Sequence, residues 1–310
     1  MTKKNKYGIF LHGGNMSAVL IDGKKIAEEI RSELAGKVSA LRTAGVVPGL
    51  AVILVGENPA SVSYVTAKEK ACEEIGIQSF ETRFPENVAE SVLLEKIAAC
   101  NRDPKVHGIL VQLPLPRHID ERRVIGAIDP SKDVDGFTPI NLGRMLLEEP
   151  CYIPCTPLGI IELLKRSGVP TNGARAVVVG RSNIVGKPLA NLLIRKSVNA
   201  TVTVCHTGTR DLAAHVKEAD IVIACAGKPG LVSIDMIKPG ACIIDVGVNR
   251  VPDPTKKKGY RLCGDVDFEE ASKVAGWITP VPGGVGPMTI TMLLSNTIDA
   301  AARISDIALQ

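Results

Sequence analysis

"AVVVGRSNIVGKPLANLL", residues 176–193, reads as a buried strand, a glycine loop and the start of a helix. Such a layout suits a phosphate, because a helix N-terminus offers unpaired N–H groups and the positive end of the helix dipole. Two familiar phosphate motifs nearly fit. An ATP-type loop has four residues between its glycines and Ser or Thr after the Lys. Here five residues, Arg181 to Val185, separate Gly180 from Gly186, and Pro188 follows Lys187, which removes the hydroxyl for Mg²⁺. The dinucleotide fingerprint has Gly where Ser182 stands. Taken alone, the stretch is also consistent with a tight strand-to-helix turn.

On either side of the loop the pattern continues. A helix is expected over 158–167, the loop's own helix over 187–197, a strand at "TVTVCH" (201–206) and a helix over 211–218. The apolar runs "IVIACAG", "ACIIDVGV" and "WITPV" follow as strands, the βαβ series of a Rossmann-type domain over 158–287. The Pro- and Gly-rich "TPVPGGVGPMT" (279–289) reads as a rigid exposed loop. A last helix from 290 to about 306 comes too late for another βαβ unit, so the segment 288–310 is expected to complete the first domain.

That first domain, 16–157, also alternates strand and helix. A helix over 22–44 carries the stripe Ile26, Ile30, Leu34, Val38 and Leu41, with Asp22 to cap it and Gly45 to end it. "LAVILVG" (50–56) is a buried strand, and Ser61 could cap a helix running to Gly76. A strand (79–84), a helix (90–100), the strand "VHGILVQLPLP" (106–116) and a helix near 120–128 lead into the polar loop "DPSKDVDGFTP". The fold class is α/β with two domains and mainly parallel sheets. Residues 1–15 show neither periodicity nor a cap and read as a flexible, dispensable tail.

Composition narrows the function. The 310 residues are 45% hydrophobic and 23% charged, as in ordinary globular proteins. Aromatics are 3% and the net charge is +4, nearly supplied by Lys3, Lys4 and Lys6, so there is no stacking platform and no basic stripe for nucleic acid. No apolar stretch reaches membrane length. None of the eight cysteines forms a C-x-x-C pair, which points to a reducing, cytoplasmic compartment and no metal site.

Four stretches carry possible chemistry. In "SVSYVTAKEKACEEIG" the inner stripe runs Tyr64/Val65, position 68, Ala71/Cys72 and Ile75, and position 68 is Lys. Its stem could snorkel to water. Alternatively the amine faces a partly dry cleft, where desolvation lowers its pKa and lets it trade protons near neutrality. Tyr64 lies one turn away on the same face. Gln112 interrupts a buried strand near its carboxyl end, where it could bond a neighbouring backbone or orient a catalytic group. Asp133 and Asp135 in "KDVDGF" are turn residues or a substrate carboxylate; a Ca²⁺ loop fails because its twelfth position is Leu142. The loop 279–289 could be a hinge or a floor under a ligand.

Taken together, "YVTAK", "GILVQLPLP", "KDVDGF", "PCTPLGI", "GRSNIVGKP", "TVTVCH" and "PVPGGVGPMT", in that order within about 17–305, resemble the bifunctional methylenetetrahydrofolate dehydrogenase/methenyltetrahydrofolate cyclohydrolase family. The resemblance implies a catalytic domain, an NADP-binding Rossmann domain, a folate cleft between them and a homodimer. It makes Lys68 the catalytic lysine, Tyr64 the tyrosine that stacks on folate, Gln112 the lysine's hydrogen-bond partner and Asp135 the pterin ligand. Gly180, Arg181 and Ser182 would meet the cofactor phosphates, Thr207 and Val248 would contact the cofactor, and Pro282, Gly283 and Gly284 would line the folate cleft. NADP rather than NAD agrees with the lack of any carboxylate in "CHTGTR" before Asp211. Two other readings stay open from the residues: an NADP-dependent dehydrogenase of the shikimate type, and a non-catalytic folate- or nucleotide-binding protein.

Overall fold

A computed structural model describes residues 18–256 and 259–309. In chain order the elements are β1 (Val19–Leu20), α1 (Gly23–Thr43), β2 (Gly49–Val55), α2 (Pro59–Ile75), β3 (Gln78–Phe84), α3 (Glu90–Arg102), β4 (Gly108–Val111), α4 (Glu121–Gly126), α5 (Pro139–Leu146) and α6 (Cys155–Arg166). There follow β5 (Arg175–Val179), α7 (Gly186–Leu193), β6 (Thr201–Cys205), α8 (Leu212–Lys217), β7 (Ile221–Ala224), β8 (Cys242–Asp245), β9 (Asn249–Pro252), β10 (Tyr260–Cys263), α9 (Phe268–Ala271), β11 (Trp277–Ile278) and α10 (Val285–Ile304). Contacts divide the chain into two compact units, one of Thr156–Thr289 with the chain up to Ala27, the other of Glu28–Cys155 and Ile290–Gln310.

The first unit is built on a parallel sheet of order β1-β11-β8-β7-β5-β6. Its central strands β7 and β8 are buried throughout and apolar except for Asp245 at the end of β8, as suits strands covered on both faces. One face packs Val177, Val179, Val222, Ala224 and Ile243 against Val216, Ile237 and Ala271. The connection after β5 runs to β6 on one side, and the next returns to β7 on the other. The carboxyl end of β5 is therefore the topological switch point, where open α/β sheets take ligands.

The second unit holds a three-stranded parallel sheet of order β3-β2-β4. All seven residues of β2 are buried. Val55, Val111, Leu93, Ile97 and Val124 join one core that fixes α3 and α4 on the sheet.

Several elements depart from the sequence pattern. Residues 18–27 are grouped with the six-stranded unit and not with the domain starting at 16, because Val19 and Leu20 pair in parallel with Trp277 and Ile278. The helix carrying Lys68 begins at Pro59, with Asn58 Oδ1 accepting from Ala60 and Ser61 N–H; Ser61 lies inside the helix, buried. Residues 285–289 belong to α10, which shortens the loop after β11, and the helix joins the three-stranded unit from Ile290 onward. The polar stretch after 138 contains α5, capped by Thr138 with Pro139 at its first position. The proposed tail of residues 1–15 lies outside the described residues.

Candidate functional site

The three-stranded unit brings Lys68, Gln112 and Asp135 to the carboxyl end of its sheet. Ser61, Val65, Lys68, Ala71, Cys72 and Ile75 form the buried face of α2, so Lys68 occupies a core position by helix periodicity. It is 6% exposed. Its Nζ donates to Gln112 Oε1 at 3.0 Å, and Gln112 Nε2 donates to Leu113 O at 2.7 Å, which orients the amide. Gln112 itself follows β4, its N–H bonded to Ile53 O. Burial lowers the lysine pKa, and the negative charge of Asp135 partly opposes that shift. Tyr64 is one turn earlier and 38% exposed, a ring available to a ligand.

The two aspartates of "KDVDGF" have different roles. Asp133 is 1% exposed and accepts from the N–H groups of Gly136, Phe137 and Thr138 and from Asn141 Nδ2. It is the turn residue, and it shapes the loop that carries Asp135. That loop closes on β4, with Ile109 N–H bonded to Lys132 O; a Cβ on Gly108 would sit 2.8 Å from Val134. Burial pushes the Asp135 carboxyl up while Lys68 draws it down. Cys155 Sγ donates to Val134 O at 3.4 Å, and burial, with the negative charge of Asp135, holds its thiol well above the ordinary range. Asn296 on α10 donates to Val134 O at 2.8 Å and Ile153 O at 3.0 Å. Neither Cys155 nor Asn296 is apparent from sequence spacing, since both meet the loop only after folding.

In the six-stranded unit, Gly180, Arg181 and Ser182 form the turn at the switch point. Gly180 has φ +140°, and a Cβ there would lie 2.5 Å from Cys225 O. A Cβ on Gly186 would lie 2.2 Å from Gly180 O. The glycines are spent on bringing backbones together, which explains why the fingerprint spacing is not needed. Ser182 Oγ accepts from Val185 and Gly186 N–H at 3.1 and 3.3 Å, closing the turn into α7 and leaving the hydroxyl hydrogen to donate elsewhere. Arg181 is exposed. Thr207 follows β6 and Val248 follows β8, both exposed at the carboxyl ends of the sheet. Asp211 caps α8 by accepting from Ala214 N–H. Pro282, Gly283 and Gly284 follow β11; Gly283 O accepts from Lys24 N–H at 2.9 Å, and a Cβ on Gly23 would lie 1.9 Å from Gly284 O.

Two further carboxylates, which nothing in the sequence marks, are buried behind these loops. Asp265 is 0% exposed and Asp245 is 3% exposed. Burial pushes Asp245 up to about 6, against three backbone hydrogen bonds that favour its ionised form. A cavity of about 540 Å³ lined by Asn172, Asp220, Lys238 and Trp277 opens at the amino ends of the same strands, away from the glycine loop. Among the described residues there is no metal-ligand cluster and no helix long and apolar enough to cross a membrane.

Comparison with known proteins finds a family. Residues 21–135 match the catalytic-domain model of tetrahydrofolate dehydrogenase/cyclohydrolase, and residues 154–305 match its NAD(P)-binding domain model. The bifunctional protein FolD of Syntrophus aciditrophicus is 58% identical, over 92% of this chain and 98% of its own. The crystal structure of FolD from Campylobacter jejuni superposes with a TM-score of 0.88 at 48% identity, covering 93% of this chain and 99% of that one. The Trypanosoma brucei dehydrogenase-cyclohydrolase, complexed with NADP and an inhibitor, gives 0.89 at 45% identity, covering 94% and 99%.

Proposed function

The chain belongs to the tetrahydrofolate dehydrogenase/cyclohydrolase family, and we propose that Lys68 moves the protons in the second of its two reactions. The first reaction is the NADP-dependent oxidation of 5,10-methylenetetrahydrofolate to the 5,10-methenyl form; the second hydrolyses that product to 10-formyltetrahydrofolate. NADP, when bound, accepts the hydride. The residues present fit it: Gly180 and Gly186 let backbone close under a phosphate, the Ser182 hydroxyl keeps a hydrogen to donate, and exposed Arg181 supplies positive charge. The strand end that would carry an acid for a ribose 2′-hydroxyl has none, and Asp211 is occupied as a helix cap.

The methylene carbon loses a hydride and no proton, so the oxidation asks the protein for placement of the pterin. Tyr64 offers a ring face and Asp135 a carboxylate. In the hydrolysis water adds to the methenyl carbon. The water oxygen loses both protons as it becomes the formyl carbonyl, the carbon–N5 bond breaks, N5 gains one proton and the other is released to solvent. An amine whose pKa is lowered by burial can take up one of these protons and hand it to N5. The carrying observation is that the Lys68 amine is buried against one neutral acceptor, Gln112, with its pKa lowered by that burial. A carboxylate in place of Gln112 would hold the amine charged. A second copy of the chain is the proposed protein partner, and the eight cysteines, none in a disulfide, suit the reducing cytoplasm.

The test is a spectrophotometric assay with methylenetetrahydrofolate and NADP⁺, following NADPH and methenyl absorbance separately. NADPH should appear while methenyl product stays low. Steady methenyl accumulation by the wild-type protein would remove the hydrolytic half of the reading.

A further inference from the structure

Asp265 and Asp245 take no part in the chemistry just described, yet both are buried carboxylates at the carboxyl end of the six-stranded sheet. Asp265 Oδ2 accepts from Ala226 N–H at 2.7 Å and Gly227 N–H at 2.8 Å, and its Oδ1 accepts from Asn249 Nδ2 at 2.9 Å. Asp245 Oδ1 accepts from Gly247 N–H at 3.0 Å and Asp265 N–H at 2.9 Å, and its Oδ2 accepts from Val266 N–H at 2.9 Å. The Asp245 N–H donates to Thr279 Oγ1 at 2.8 Å. The segments tied together are those that leave β7, β8 and β10, with the end of β11.

Each of these donors is a neutral amide. Burying two neighbouring carboxylates on neutral donors is expensive compared with apolar packing, so stability alone does not account for the pair. The backbone has been fitted to the carboxylates: a Cβ on Gly247 would lie 2.2 Å from Asp265 Oδ1, and one on Gly264 would lie 1.8 Å from Asp245 Oδ2. Val248 stands between Gly247, held by Asp245, and Asn249, held by Asp265. The segment at Cys225 to Gly227 is the wall that Gly180 packs against. Dinucleotides lie across the carboxyl ends of such a sheet, with their phosphates at the switch point. If the phosphates meet the turn after β5 and the adenosine side runs toward Thr207 after β6, the other half lies over the loops after β7 and β8.

We propose that Asp265 and Asp245 are positioning residues that hold the main chain at 226–227 and 247–249 in the shape that receives the nicotinamide half of NADP. This rests on the reading of the chain as an NADP-dependent folate enzyme. Asp265→Asn keeps size and replaces one acceptor by a donor that faces amide N–H groups. Asn249→Ala removes one tether and leaves both carboxylates in place. Titration calorimetry with NADP⁺ and steady-state kinetics in each substrate test the pair. Asp265→Asn should raise the NADP⁺ Kd and KM at least tenfold, and Asn249→Ala three- to tenfold, while the KM for methylenetetrahydrofolate stays within twofold. NADP⁺ affinities within twofold of wild type in both variants would overturn the proposal. So would a loss confined to kcat, which is what a smaller folded fraction alone would produce. A wild-type protein that shows no NADP⁺-dependent turnover of methylenetetrahydrofolate would overturn the functional reading itself, a distinguishable failure.

Discussion

Lys68 and Lys132 are both buried lysines of the three-stranded unit, and burial lowers the pKa of each. Their partners differ. Lys132 Nζ donates to Cys100 O at 3.2 Å and Asp103 O at 2.8 Å, carbonyls at the end of α3 where the helix dipole favours a cation. Asp129 and Asp103 add negative charge beside it. Lys68 has the amide oxygen of Gln112 at 3.0 Å and the field of Asp135. An ammonium has three protons to donate. Lys132 uses two of them to tie a loop to a helix end, whereas Lys68 has the single amide oxygen of Gln112. On the proposed function, the first lysine is structural and the second chemical.

The largest effect should come from exchanging charge for shape at the two positions. Lys68→Met should lower cyclohydrolase turnover by about 10²–10⁴-fold, the usual worth of a positioned proton carrier, and leave measurable dehydrogenase activity with methenyl product accumulating. Lys132→Met should leave the ratio of the two activities alone and lower unfolding stability by about 1–3 kcal/mol, since buried carbonyls lose their donor; urea denaturation reads this. Equal losses of both activities in Lys68→Met would make the two lysines alike.

Next in size is a change outside the comparison that bears on what the lysine chemistry serves. Arg181→Ala should weaken NADP⁺ by about 1.5–3 kcal/mol, a lost charge-assisted hydrogen bond, and NAD⁺ much less. Competition kinetics with both cofactors measures the difference, and an equal loss for both would show that Arg181 does not discriminate between them.

Gln112→Glu sharpens the comparison by giving Lys68 a charged partner like those near Lys132. A carboxylate favours the ammonium, so the pH at which cyclohydrolase activity rises should move upward. The native sign is opposite. The folded pKa of Lys68 lies below the unfolded value near 10.4. Between the two the unfolded chain holds more protons, so this group's contribution to stability rises with pH across that window and is smallest below both values. A pH–rate profile unchanged in Gln112→Glu would separate the activity from Lys68 ionisation.

The smallest effect concerns the helix that presents Lys68. Asn58→Ala removes the cap of α2 and should cost about 0.5–2 kcal/mol. Ser61→Ala, inside the helix, should cost less, and thermal melting distinguishes the two.

Legibility from sequence followed the range of the interaction. The stripe that puts Lys68 inward is local and periodic, so α2 and its odd residue could be read directly. Gln112 could be read because it breaks an apolar strand. Ser61 reads as a possible cap, whereas Asn58, three residues earlier and followed by Pro59, caps the helix. β1 has two residues and its partner is at 277–278, so no local pattern reveals it. The β9–β10 hairpin was likewise hidden in polar sequence. Asp133 and Asp135 look equivalent in "KDVDGF"; only the folded loop shows that one is saturated by amides. Asp245 and Asp265 are ordinary acids in sequence, and their burial depends on glycines at 247 and 264 that are distant from the carboxylates they admit or read as plain turn residues.

Neither unit is a continuous piece of the chain. The divisions at 27/28, 155/156 and 289/290 fall within α1, at the start of α6 and within α10, so helices and not loops carry the chain from one unit to the other. A recombination event with two crossover points could transplant residues 156–289, but β1, the edge strand, would still come from the recipient's own early residues. Removing the last twenty residues as a dispensable appendage would strip Asn296 from the loop that carries Asp135. Exchange of residues 156–289 between relatives therefore has to match the incoming β11 to a resident β1.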